Sequence, residues 1–222
     1  MSPVRNALII GGGIAGPTAA MALQKARIDP VIYEARPAAA GPSGSFLTVA
    51  SNGIGALRVL GADQPVLDTA FPTPSITLRS YTGRHLGANS TGWALPDGTA
   101  SHTIKREDLY RALHEEARRR DITVESGKRL VSAEQTEQGV RAVFDDGSSA
   151  AGDLLIGCDG VHSSVRPVID FSAPAPTYLG LINIGGYASG VSVQSGPGSY
   201  EMIFGRRAFF GYAMAPGGEA WW

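Results

Sequence analysis

The sequence predicts an α/β fold whose second part is rich in β-structure, and three observations carry that expectation. A short apolar strand runs into a glycine turn, a helix and a second strand. One strongly amphipathic helix stands in the middle of the chain. Short alternating segments, punctuated by glycine and proline, fill most of the remainder.

Val4 to Ile10 reads as a buried strand bounded by Gly11-Gly12-Gly13, and an Ala- and Leu-rich helix follows from about Ile14 to Arg27. Pro30 to Glu34 is the second strand, which makes the opening a βαβ unit. Residues 35–51 hold no periodic stretch and many Pro, Gly and Ser, so a loop is expected there. Asn52 is placed to cap a helix that runs through Leu60 and stops at Gly61. From Pro72 to about His102 the pattern changes to segments such as Ser75-Ile76-Thr77-Leu78-Arg79, expected as antiparallel strands of a separate layer.

Arg106 to Arg120 is the clear helix. Leu109, Leu113 and Ala117 recur at i, i+4 and i+8; Glu107 and Asp108 sit in the first turn, and Arg118, Arg119 and Arg120 crowd the last, as the helix dipole prefers. Strands are expected at 122–125, 129–135, 139–145 and 153–157, with Asp145-Asp146-Gly147 as a hairpin turn. Beyond Pro167 the chain reads as β again, around 178–188, 199–205 and 208–215. Pro216-Gly217-Gly218 makes a turn, and Glu219-Ala220-Trp221-Trp222 looks like the start of a new strand. Two terminal tryptophans would leave apolar surface and a sheet edge uncovered, so the chain is expected to be truncated there.

Composition narrows the function. The net charge is -1, from 19 basic and 20 acidic side chains, so no long-range field gathers nucleic acid or an acidic membrane. One cysteine, Cys158, excludes an internal disulfide and fits a reducing cytoplasm. The first apolar run is too short and glycine-rich for a signal peptide, and no later run could span a membrane.

Gly11-Gly12-Gly13-Ile14-Ala15-Gly16 fits G-x-G-x-x-G. With 29 glycines, roughly 0.5 matches arise by chance, so the spacing alone decides nothing. Context decides it, because the glycines leave a strand and open a helix. Gly11 allows the tight turn, Gly13 lets the backbone approach a pyrophosphate, and Gly16 lets helix and strand pack closely. Glu34 ends the next strand, where it can accept from ribose hydroxyls and repel a 2′-phosphate. FAD or NAD is therefore favoured over NADP, the alternative being a glycine turn in a nucleotide-free domain.

A second fingerprint follows. Asp159-Gly160-Val161-His162-Ser163-Ser164-Val165-Arg166 contains D-G-x-x-S-x-x-R at the end of a buried strand, with only about 0.01 matches expected by chance. Together the glycine turn, the Glu34-Ala35-Arg36 strand end, Arg106 opening its helix and this motif resemble the group A flavin monooxygenases. These are the single-component FAD aromatic hydroxylases, similar to para-hydroxybenzoate hydroxylase, and the resemblance spans the whole chain in order. The segment from Gly44 to Gly53 also looks like that family's flavin-proximal loop.

The resemblance implies a three-layer Rossmann-like FAD-binding domain, residues 1–72 and 103–173, interrupted by a mostly antiparallel β-sheet substrate domain, residues 73–102 and 174–222. It implies Gly11, Gly13, Ile14, Ala15 and Gly16 at the FAD pyrophosphate, Glu34 at the adenosine ribose, and Ala35 and Arg36 flanking the adenosine half. Thr48 would lie in the flavin-proximal loop, and Arg106 would reach FAD from its helix, its planar cation suiting phosphate oxygens. Leu130 would touch the adenine through its backbone, and Asp159 and Gly160 would line the cofactor's crossing point. A helix-start salt bridge is the alternative for Arg106, and an ion pair between Asp159 and Arg166 the alternative for that motif. The family's later Gly-Asp segment is missing, since the only such pair is Gly152-Asp153, so a further C-terminal part is the expected partner that closes the flavin pocket.

The implied activity uses NADPH or NADH as a transient co-substrate and O2 as oxidant. Through a flavin C4a-hydroperoxide it hydroxylates or epoxidises a small organic substrate, aromatic or polyketide-like. No side chain is singled out as a catalytic acid or base. Two rivals remain: another FAD oxidoreductase of this fold (a reductase, or a halogenase, although W-x-W-x-I-P is absent), and a non-catalytic FAD-binding fragment needing a second polypeptide. His85, His102, His114 and His162 lack metal-ligand spacing and read as surface or structural residues. No G-x-S-x-G encloses Ser163, and Arg206-Arg207 reads as a hairpin turn.

Overall fold

The computed structural model describes residues 4–38, 44–193 and 195–222. The chain first forms β1 (Asn6–Ile10), α1 (Ala15–Lys25), β2 (Asp29–Glu34), β3 (Phe46–Val49), α2 (Ser51–Leu60), α3 (Gln64–Leu67), β4 (Phe71–Pro72), β5 (Ser75–Ser80), β6 (His85–Ser90) and β7 (His102–Lys105). Next come α4 (Arg106–Arg119), β8 (Thr123–Ser126), β9 (Leu130–Thr136), β10 (Gly139–Phe144), β11 (Ser149–Gly152), β12 (Leu154–Gly157) and α5 (Arg166–Ile169). The last elements are β13 (Tyr187–Ala188), β14 (Tyr200–Phe204), β15 (Phe209–Met214) and β16 (Ala220–Trp221). Two compact units result, one of residues 1–42 and 110–181, the other of 43–109 and 182–222. Segments 43–72 and 103–109, which the resemblance assigns to the cofactor domain, cluster with the second unit because β3 and β4 both pair with β7.

The first unit is built on a parallel sheet of order β12-β1-β2-β8. β1 is central, and its alternate residues are buried on both faces, as a strand covered on two sides requires. Ile9 faces the start of α1, close to Gly16. Leu8 and Ile10 join Leu130, Ala142, Phe144 and Val165 in a core beneath the antiparallel sheet β11-β10-β9. Tyr33 stacks on Phe144 there, with ring centroids 4.6 Å apart. Asp153 ties the start of β12 to β1, its Oδ2 accepting from Arg5 N at 2.7 Å and Asn6 N at 3.0 Å.

The second unit holds a six-stranded sheet of order β13-β16-β15-β14-β5-β6, antiparallel except where β14 runs parallel to β5. Phe71, Ala213, Ala215 and Trp221 form its core, with Phe46 and Tyr200 packed against them.

Several expectations are corrected. The loop expected over 35–51 contains β3, a strand too short to show a period, whose Thr48 meets Thr103 of β7 at 2.8 Å. Asn52 is not a helix cap: α2 starts one residue earlier, Ala50 takes the extended cap conformation, and Asn52 Oδ1 accepts from Gly53 N. Gly61 does end that helix in a left-handed conformation. β6 stops at Ser90, and no strand is formed over 91–101. In the stretch expected as strand from 178 to 188, only Tyr187 and Ala188 form strand, with Gly186 bonded to Trp222 beside them, while Leu179, Leu181, Ile182 and Ile184 stand exposed. β11, α3 and α5 carry no apolar period and escape sequence reading. The terminal tryptophans are not both uncovered, since Trp221 is 6% exposed and packs against Phe71, Phe46 and Tyr187.

Candidate functional site

The glycine turn hangs between the ends of two neighbouring strands. Gly11 N donates to Tyr33 O of β2 at 2.8 Å, and Cys158 N, just past β12, donates to Ile10 O at 2.7 Å. Gly11 has φ +106°, and a Cβ there would collide with the Cys158 carbonyl, so both conformation and space demand glycine. A Cβ on Gly16 would strike the Gly11 carbonyl oxygen. Gly13 differs, because a Cβ there would meet nothing within 4 Å. Two of the three fingerprint glycines thus serve the protein's own packing, and the third faces open space.

That space adjoins the start of α1, where Ile14 is the cap residue and Ala15 and Gly16 are the first helical positions. Among the described residues no side chain caps this end, and no acidic residue lies in its first turn. The first N–H groups of a helix lack intrahelical acceptors, so they are available to an anion. An open glycine beside uncapped N–H groups fits a dinucleotide pyrophosphate.

Glu34 closes one side of the turn. Its Oε2 accepts from Gly12 N at 2.7 Å, and its Oε1 accepts from Arg36 N at 2.9 Å. The Arg36 guanidinium lies 3.5 Å from the same Oε1. Each carboxylate oxygen keeps a second lone pair for a ribose hydroxyl. Ala35 sits between these two anchors, and Lys128 N and Gly127 N donate to Glu34 O and Arg36 O, fastening the strand end.

α4 supplies the other wall. His114 Nε2 donates to Gly12 O at 2.6 Å, and its ring stacks on Tyr110 with centroids 4.0 Å apart. Beside them opens a cleft of about 400 Å³ lined by Glu34, Arg36, Tyr110, His114, Arg118 and Ser126 among others. Burial pushes the Tyr110 hydroxyl above its ordinary value, which Arg36 opposes. Sequence reading misses both rings as site residues. Their signal is a spacing of four and eight from Arg106 on one helix face.

The second fingerprint folds onto itself. Asp159 Oδ1 accepts from Ser163 Oγ at 2.6 Å, while Oδ2 accepts from Ser164 N at 2.6 Å and Val165 N at 3.2 Å. The ion pair with Arg166, the alternative reading of this motif, is not formed: that guanidinium donates to Val161 O at 3.2 Å. Gly160 has φ +79° and open space at its Cβ position. Leu130 begins β9 with its side chain buried in the core, which leaves only its backbone for a ligand. Cys158 is half-buried, and burial followed by the Asp159 charge pushes its thiol above the ordinary value.

Thr48 and Arg106 belong to the second unit. Thr48 lies in a buried hydroxyl chain through Thr103 to Thr73, each step 2.8 Å. Arg106 N donates to Ser45 O at 2.9 Å, and its exposed side chain makes no ion pair among the described residues. A second cleft, about 190 Å³, is lined by Phe46, Tyr200, Phe209, Phe210 and Trp222 with Ser45 and Asn183. Arg206 and Arg207 lie in the hairpin turn between β14 and β15. Among the described residues no group of three His, Cys, Asp or Glu could hold a metal, and no helix is long and apolar enough to cross a membrane.

Residues 5–220 match a family model described as FAD binding domain. The chain is 34% identical over 186 residues to an FAD-dependent urate hydroxylase of Klebsiella pneumoniae, covering 82% of this chain and 47% of that protein. It is 35% identical over 167 residues to a 2-heptyl-3-hydroxy-4(1H)-quinolone synthase of Mycobacteroides abscessus, covering 75% and 43%. Among solved structures, Klebsiella pneumoniae HpxO complexed with FAD and uric acid superposes with a TM-score of 0.75 at 26% identity, over 98% of this chain and 55% of that one. The chain spans about half the length of the curated relatives it matches.

Proposed function

Because the chain belongs to the FAD-binding-domain family of the group A flavin monooxygenases, we propose that the whole protein is an FAD-dependent monooxygenase acting on a small planar organic substrate. The observation that carries this reading is the turn itself: Gly13 opens onto free space beside an uncapped helix start, and Glu34 secures Gly12 from the adjacent strand. Glu34 and Arg36 would hold the adenosine half and the α1 N–H groups the pyrophosphate, with Leu130 contributing backbone and Asp159 and Gly160 the crossing. Thr48 and Arg106 would be further cofactor residues. In roles the chain divides as 1–72 with 103–173 for the cofactor and 73–102 with 174–222 for substrate. When bound, FAD supplies electron transfer to oxygen and oxygen transfer to substrate, with NADPH or NADH as reductant.

The protein's own contribution is binding, orientation and exclusion of water. The aromatic lining of the second cleft suits a flat ring, and urate and quinolone in the relatives' names belong to the same chemical class. A single cysteine, which leaves no internal disulfide to form, fits a reducing cytoplasmic setting. The test is direct. Full-length protein should purify yellow, release FAD rather than FMN, and couple NAD(P)H oxidation to oxygen uptake with one member of a panel of phenols, polyketides and N-heterocycles. A colourless protein that cannot be reconstituted with FAD overturns the reading. Bound FAD without oxygen uptake favours the non-catalytic alternative.

A further inference from the structure

Gly12 is gripped from two sides. Its N–H donates to Glu34 Oε2 at 2.7 Å, and its carbonyl oxygen accepts from His114 Nε2 at 2.6 Å. A carbonyl only accepts, so Nε2 carries the proton. The imidazole is itself fixed, stacked on Tyr110 one helical turn earlier with ring planes 25° apart. These two hydrogen bonds hold different peptide groups: the first holds the one joining Gly11 to Gly12, the second the one joining Gly12 to Gly13. A trans peptide is planar, with its C=O and N–H pointing in opposite directions. Drawing the Gly12 carbonyl toward α4 therefore turns the Gly13 N–H away from α4, at the residue whose Cβ position is open. Three consecutive glycines impose little conformational preference of their own, so an outside anchor has most to do here.

We propose that His114 is a positioning residue for the cofactor turn, orienting the Gly13 N–H toward the pyrophosphate of FAD by holding the Gly12 carbonyl. This rests on the FAD reading above and adds to it a histidine that sequence spacing alone marks as merely structural. The test measures dissociation constants for FAD, and for ADP as the pyrophosphate-bearing fragment, in the full-length protein, together with the melting temperature of the apoprotein.

His114→Phe keeps the stack on Tyr110 and removes the donor. The expected result is an FAD and ADP dissociation constant raised about 3- to 10-fold, the scale of one hydrogen bond. No matching fall in apoprotein melting temperature should accompany it. His114→Gln, which places an amide N–H near the Nε2 position, restores most of the affinity. Unchanged affinity in His114→Phe overturns the proposal, as does a Gln variant no better than Phe, or a loss that tracks melting temperature. If His114→Phe does not fold, His114→Asn takes its place, because its amide is too short to reach Gly12. Wild-type protein that takes up no FAD refutes the functional reading itself, whereas tight FAD binding by wild type and variant alike refutes only the role of His114.

Discussion

At the scale of single residues, the fingerprint glycines separate into two kinds with opposite mutational signatures. Gly13→Val should abolish FAD binding while leaving apoprotein stability nearly unchanged, because its side chain enters space that only the cofactor claims. Gly11→Ala should destabilise the apoprotein by at least about 1–3 kcal/mol, since φ +106° and the Cys158 carbonyl both reject a Cβ. FAD titration beside thermal melting of each apoprotein checks the pair, and equal melting losses in both would refute the division. Arg106→Ala should weaken FAD binding by about 1–3 kcal/mol without lowering the melting temperature, because no ion pair among the described residues is lost with it. A lowered melting point with unchanged FAD affinity would restore the salt-bridge reading. The roles of Gly11 and Gly16 could be read from spacing because they answer to local sterics. His114 could not, because its acceptor is a main-chain oxygen 102 residues away and leaves no mark in the sequence around it.

At the scale of elements, legibility follows length and period. β1 and α4 were readable because each repeats its buried face several times: alternate residues of β1, and Leu109, Leu113 and Ala117 along α4. β3 and β11 have four residues each, and β11 (Ser149-Ala150-Ala151-Gly152) has no large apolar side chain to set a period. Residues 178–186 mislead in the other direction, since Tyr178, Leu179, Leu181 and Ile182 have strand propensity but no partner strand. The Asp153 clasp between β12 and β1 gives an element-scale test. The N–H groups of Arg5 and then Asn6 hold its carboxyl below the usual carboxylate value. A folded pKa below the unfolded one, about 3.9, means the stabilisation is complete above that value and is lost as pH falls through the folded pKa. Asp153→Ala should therefore melt below wild type at neutral pH, and the gap should close as pH drops below about 4. A gap independent of pH would show that the side chain acts by packing rather than charge.

At the scale of the whole molecule, the second unit depends on one aromatic centre. Trp221→Ala should lower stability by about 3–5 kcal/mol in urea unfolding, because Phe46, Phe71 and Tyr187 lose their common neighbour. Trp222→Ala, at a residue 39% exposed, should cost much less, and equal losses would contradict the packing described. The order of the first sheet has a consequence for synthesis. β1 pairs with β2 soon after both are made, but its other edge waits for β12, whose clasp to Asn6 spans 147 residues. At ordinary translation rates of about 5–20 residues per second that interval lasts roughly 7–30 s, during which an apolar central strand shows an unpaired edge. A nascent chain stalled before β12 emerges should therefore recruit chaperones and yield to protease at β1. One stalled beyond α5, with the edge closed, should resist both.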